Sequence, residues 1–115
     1  MNEREIGKVI KRALELLVAG DFQTLAHMTG GRRMRANEIE TVINDYPFKP
    51  IMPPDSELSG LIDLIEVEGS TPAAYSAWVY LWTAEEGRSG LCLKLLIREG
   101  ASGPEIIEMS DLEVP

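Results

Sequence analysis

Tyr75-Ser-Ala-Trp78-Val-Tyr80-Leu-Trp82-Thr83, Ala84-Glu85-Glu86-Gly87 and Arg88-Ser-Gly-Leu91-Cys-Leu93-Lys-Leu95-Leu-Ile97 follow one another without a break. Two strand-like runs, the first rich in aromatic residues and the second in leucine, flank an acidic turn that ends in glycine, the signature of a hairpin. Its two faces differ. One carries Val79, Leu81, Leu91, Leu93 and Leu95; the other carries Trp78, Tyr80 and Trp82. A three-residue loop, Glu85-Glu86-Gly87, suits a type I turn with glycine in the left-handed position. Ala84 then faces Arg88, Leu81 faces Leu91, Val79 faces Leu93 and Ala77 faces Leu95, all on one side. The reverse side pairs Trp82 with Gly90, Tyr80 with Cys92 and Trp78 with Lys94. A two-residue Glu86-Gly87 loop would slip the register by one and turn the aromatics toward the leucines. It would also place a glutamate at positive φ, so the first register is preferred.

Outward from the hairpin, the periodicities divide the chain in two. Residues 3–18 place Ile6, Val9, Ile10, Ala13, Leu14, Leu16 and Leu17 at helical spacing, with Gly20 as a left-handed stop. Asp21 is positioned to cap a short helix, 22–28, whose apolar stripe is Phe22, Leu25 and Met28. Gly30-Gly31 breaks it. A third helix is expected over 36–46, ending before Pro47. Four prolines between residues 47 and 54 make an irregular connection with a short extended piece near Ile51. From there the period becomes two, with strands expected at about 60–68, 74–84, 88–98 and 104–110. Helices followed by a meander predict an α+β fold, with helices packed on a curved antiparallel sheet of at least four strands in a single domain, 1–115.

The chain has 115 residues and a 44% apolar fraction, enough for one domain with a modest core. No apolar run approaches a membrane span and no secretory pattern opens the chain. With a lone cysteine, Cys92, no intrachain disulfide forms; a cytoplasmic location is expected. The net charge of −8 is unevenly spread. Residues 1–49 carry eight Lys/Arg against seven Asp/Glu; residues 50–115 carry three against twelve. Such acidity argues against nucleic acid as a partner, because phosphate contacts dominate that affinity. It serves solubility, or it meets a basic protein partner.

The segment Ala13-Leu14-Glu15-Leu16-Leu17-Val18-Ala19-Gly20-Asp21-Phe22-Gln23-Thr24-Leu25, a third helix at 36–46 and a strand meander resemble the NTF2-like superfamily. That resemblance implies a cone-shaped α+β fold, whose members include dehydratases and isomerases with a catalytic interior. It also implies dimers formed through the sheet. The chain departs from those enzymes in lacking acid/base residues that match theirs. Trp82-Thr83-Ala84-Glu85-Glu86-Gly87-Arg88-Ser89, with Gly20-Asp21-Phe22, is also similar to small bacterial proteins of unknown function.

Three sets of residues are candidates for chemistry or binding. His27, Tyr46 and Asp63 would line the mouth of a cone; a general base needs such an orienting partner and a pocket. The competing reading leaves His27 on a helix end and Asp63 in water. Arg32, Arg33 and Arg35 flank Met34 after the two glycines and could hold a phosphate or carboxylate. No Gly-Lys-Ser/Thr ending accompanies them, and the competing reading is a solvated basic loop. Trp78, Tyr80 and Trp82 lie on the face away from the aliphatic core, where an aromatic patch marks an interface. No metal set and no cofactor motif is found. The expected function is therefore a non-catalytic binding or regulatory domain, a homodimer through its sheet. The alternative is a small-molecule enzyme or binding protein using the cone interior.

Overall fold

A computed structural model describes residues 2–115. Helix α1 (Glu3–Ala19) opens on Asn2, whose side chain accepts the Glu5 N–H while Glu5 accepts the Asn2 N–H. This reciprocal cap satisfies two amides that the helix itself leaves free. The helix ends at Gly20, left-handed at φ 78°, whose N–H returns to Leu16 and Leu17. Asp21 then caps α2 (Phe22–Met28) through the Thr24 N–H and hydroxyl. Helix α3 (Ala36–Asp45) starts with Glu38 accepting the Arg35 N–H. It stops at Tyr46, which is extended before Pro47.

Two elements interrupt the proline-rich connection: strand β1 (Pro50–Ile51) and the one-turn helix α4 (Asp55–Leu58), which runs into a 3-10 turn at Ser59–Leu61. Four longer strands follow, β2 (Ile62–Glu66), β3 (Ala74–Thr83), β4 (Gly87–Gly100) and β5 (Gly103–Glu113). They form an antiparallel sheet in which β3 pairs with β4 and β4 with β5; β1 and β2 lie along the other edge of β3. The architecture is the expected α+β arrangement, with β1 adding a fifth strand to the four read from periodicity.

One face of this sheet carries the core. The rows Val79–Leu93–Leu112 and Ala77–Leu95–Met109 cross β3, β4 and β5, each residue at most 2% exposed. Ile6, Ile10, Leu14, Leu17, Leu25 and Ile39 from the helices close over them. The strand period of two meets the helix period of 3.6 on one apolar layer, and burial of these side chains holds the two halves together. Among the described residues, no helix is long and apolar enough to cross a membrane.

The hairpin follows the expected register away from its turn: Ala77 faces Leu95, Trp78 faces Lys94, Val79 faces Leu93 and Tyr80 faces Cys92. Nearer the turn it departs. Thr83 pairs with Gly87 and Trp82 with Arg88, rather than Ala84 with Arg88 and Trp82 with Gly90. The Thr83 hydroxyl accepts the Glu86 N–H at 3.0 Å, so the turn begins one residue earlier than glycine placement alone suggests. Ser89-Gly90-Leu91 then bulges opposite Leu81. The bulge keeps Leu81 and Leu91 both buried.

Candidate functional site

The helices cover one face of the sheet and leave the other open. Its geometry is built by strand alternation: with Val79 and Ala77 inward, Trp78, Tyr80 and Trp82 point outward. Neighbouring strands add their own outward positions. In one row, Asp63 on β2 faces Trp78, Trp78 faces Lys94 on β4, and Lys94 faces Asp111 on β5. Columns of differing chemistry therefore run side by side along the strands. Ile51 and Ile65, 39% and 56% exposed, flank the aromatic column on the β1/β2 edge. Arg88, Lys94 and Arg98 form a cationic column on β4. Glu105, Glu108, Asp111 and Glu113 form a carboxylate column on β5.

The aromatics are partly covered rather than freely exposed, because the cations lie over them. Lys94 Nζ stands 4.2 Å from the centre of the Trp78 ring, and the Arg88 guanidinium carbon stands 4.2 Å from that of Tyr80. Both are cation–π stacks. The six-membered ring of Trp82 lies over Gly87, where a Cβ would meet it at 3.7 Å. Lys94 also donates to Glu113 at 3.1 Å, and that hydrogen bond raises its pKa. Cys92, in this same face, is fully buried, and burial pushes its thiol pKa up. It is a packed apolar filler, not a poised nucleophile.

The three residues considered for a catalytic mouth stand apart. His27 is exposed on α2, on the helical side of the sheet. Asp63 is exposed on the open face beside Trp78. Tyr46 belongs to a third place. Its hydroxyl donates to Glu86 at 2.7 Å and accepts from Ser89 at 3.0 Å, while Thr83 donates to Glu86 at 3.1 Å. Ser89 also accepts the Leu91 N–H at 3.0 Å, inside the bulge. The Tyr46 hydrogen bond, ahead of those from Ser89, Thr83 and the Gly90 amide, holds the Glu86 carboxyl below its ordinary range, against a smaller desolvation effect. This clasp ties the end of α3 to the hairpin tip. Every group in it is satisfied internally, which makes it a structural joint.

The arginines of the Gly30-Gly31 loop also separate. Gly30, Gly31 and Arg33 all take positive φ, at 65°, 68° and 71°. That left-handed run turns Arg32 toward α1, whereas Arg33 and Arg35 border a different depression with Asn37 and Glu38. Neither this division nor the partners that Arg88 and Lys94 find in the aromatic column can be read from adjacency along the chain. Register, once known, supplies the second.

A family model described as a domain of unknown function (DUF7668) matches residues 14–115. The chain belongs to that family. The match takes in the last part of α1, the three following helices and the whole sheet, so the open face and the Tyr46–Glu86 clasp lie within it. No curated protein and no solved structure matches the chain.

Proposed function

We propose that this member of the family is a non-catalytic binding domain that acts through its surface and pairs with a second copy across the open sheet face. One observation carries the reading: the row Asp63–Trp78–Lys94 is self-complementary. A two-fold axis parallel to the strands and passing over Trp78 brings the two Trp78 rings together once each Lys94 swings off its own ring toward the other copy. It also sets Asp63 of each copy over Lys94 of the other, at the same height along the strands. Ile65 and Ile51 then fall at the flanks of an aromatic centre, the arrangement of an isologous interface.

The available area fits. Four strands about 4.8 Å apart and ten residues at about 3.3 Å each span roughly 600 Å² of flat face. Side-chain relief brings this toward the ~800 Å² per partner of a standard interface. The whole face must be engaged, which favours two stacked sheets over an edge contact. The NTF2-like resemblance belongs to this proposal, resting on the order of helices and strands. The interior offers less to an enzyme: the inward side chains are aliphatic, and His27 and Asp63 occupy opposite sides of the sheet.

The test is sedimentation of the protein over a concentration series. Association is expected, weakened by Asp63→Lys and by Lys94→Asp separately and restored when both are combined, since each copy then offers the swapped pair. A monomer at every concentration, or a double variant no better than the singles, would overturn it.

A further inference from the structure

We infer that the cleft between α1, the turn after α2 and the start of β5 binds a small phosphomonoester with an apolar body. Three cations line it: Lys8 and Arg12 from α1 and Arg32 from the turn. Lys8 and Arg12 are four residues apart, so both project from one side of the helix. Like charges at that spacing repel and weaken a helix slightly unless an anion sits between them. Arg32 is brought to the same cleft by the left-handed run. Its side chain lies along Gly30, whose Cβ position is 3.8 Å from Arg32 Nε. Arg33 holds φ 71° without being glycine, a left-handed conformation that side chains rarely adopt.

The charges are unspent. Ion pairs among the described residues join Lys11 to Asp55, Lys94 to Glu113 and Arg98 to Glu105, and none uses Lys8, Arg12 or Arg32. Glu105 reaches the rim of the cleft but is already paired to Arg98 at 3.5 Å. In a chain of net charge −8, three unpaired cations gathered in one concavity make a local positive field. The cleft has a volume of about 510 Å³, within the range of small-ligand sites.

The lining selects the ligand class. Two guanidinium groups and an ammonium match a dianion better than a monoanion, and a phosphomonoester carries close to two charges at neutral pH. Val9, Met28 and Ile106 supply an apolar floor that inorganic phosphate would leave in contact with water. An organic body bound to the phosphate would cover it. This site lies against the helices at the β5 edge of the sheet and shares its rim residue Glu105 with the carboxylate column of the open face.

The experiment is a titration of ¹⁵N-labelled full-length protein with phenyl phosphate, followed by amide shifts, with inorganic phosphate, benzoate and benzyl alcohol as comparisons. Saturable shifts are expected at Lys8–Arg12, Gly30–Arg32 and Ile106. Phenyl phosphate should bind more tightly than any of the other three. The pair Arg12→Gln and Arg32→Gln should lower its affinity by at least about tenfold, the loss of a charge-assisted contact. Lys11→Gln should leave it unchanged. Lys8→Gln alone gives a second reading if the double variant melts early, with a severalfold loss expected. Shifts that do not saturate, equal binding of benzoate or of inorganic phosphate, or unaltered affinity in the cation variants would overturn the inference.

Discussion

Truncating Leu93 and truncating Tyr80 should have very different consequences, although the two residues lie on adjacent strands one row apart. Leu93 is fully buried between Val79 and Leu112. Leu93→Ala removes about three carbon groups worth ~0.8 kcal/mol each in transfer free energy. The cavity left between strands and helices raises the total to about 3–5 kcal/mol. Unfolding a chain of this length releases roughly 240 cal/mol/K, so a loss of 4 kcal/mol lowers the melting temperature by about 17 °C. Tyr80 is the larger side chain, but its space opens to water. Tyr80→Ala should lose a partial transfer term and the stack with Arg88, together about 1–2 kcal/mol or roughly 6 °C. Urea unfolding of both variants, with the slope unchanged from the parent, measures this directly. If, at concentrations low enough to keep the protein monomeric, Tyr80→Ala costs as much as Leu93→Ala, the aromatics carry the core and the assignment of faces is wrong.

The Glu86 clasp predicts a pH dependence. Its carboxyl is held below the ordinary 4.5, chiefly by Tyr46, so the unfolded chain takes up this proton first. The stabilisation is fully present above about pH 4.5 and is lost as pH falls through the lower folded value. Tyr46→Phe or Glu86→Gln should flatten that part of the stability profile relative to the parent, read as urea midpoints between neutral and acid pH; an unchanged difference across the range would refute the clasp. Cys92, buried and with its thiol pKa raised, should resist an aromatic disulfide reagent at pH 8 in the native protein and react at the rate of unfolding. Rapid native labelling would show that the sheet face opens there.

The hairpin shows how far sequence reaches into this fold. Alternation alone separated Val79, Leu81, Leu93 and Leu95 from Trp78, Tyr80 and Trp82, because burial on one face is a constraint repeated every second residue. The pairings from Ala77 to Tyr80 follow from it. The turn is less legible, since the Thr83 hydroxyl accepts the Glu86 N–H and the loop closes one residue before the position that glycine alone suggests. The Glu86 side chain in that turn is then held by Tyr46, forty residues away in the chain. A local rule cannot see a partner brought in by the end of α3. The single cap residues were readable for the opposite reason: Gly20 and Asp21 act within four positions of themselves.

Charge was legible in amount but not in place. The division between a nearly neutral first part and an acidic second part is plain in the residues, yet it does not say which charges neutralise one another. The strand registers do. Arg88, Lys94 and Arg98 fall on the central strand β4, between the aromatic column of β3 and the carboxylates of β5, where they stack and pair. The acidic part thus uses its own three cations, and Lys8, Arg12 and Arg32 are left facing a cleft whose one rim carboxylate is already paired to Arg98. Clustered Arg32, Arg33 and Arg35 suggested one anion site from adjacency in sequence. The left-handed backbone at Gly30, Gly31 and Arg33 divides them, and Arg32 joins two cations from a helix some twenty residues away. Backbone handedness at a double glycine, more than the number of arginines, therefore decides where this protein concentrates positive charge.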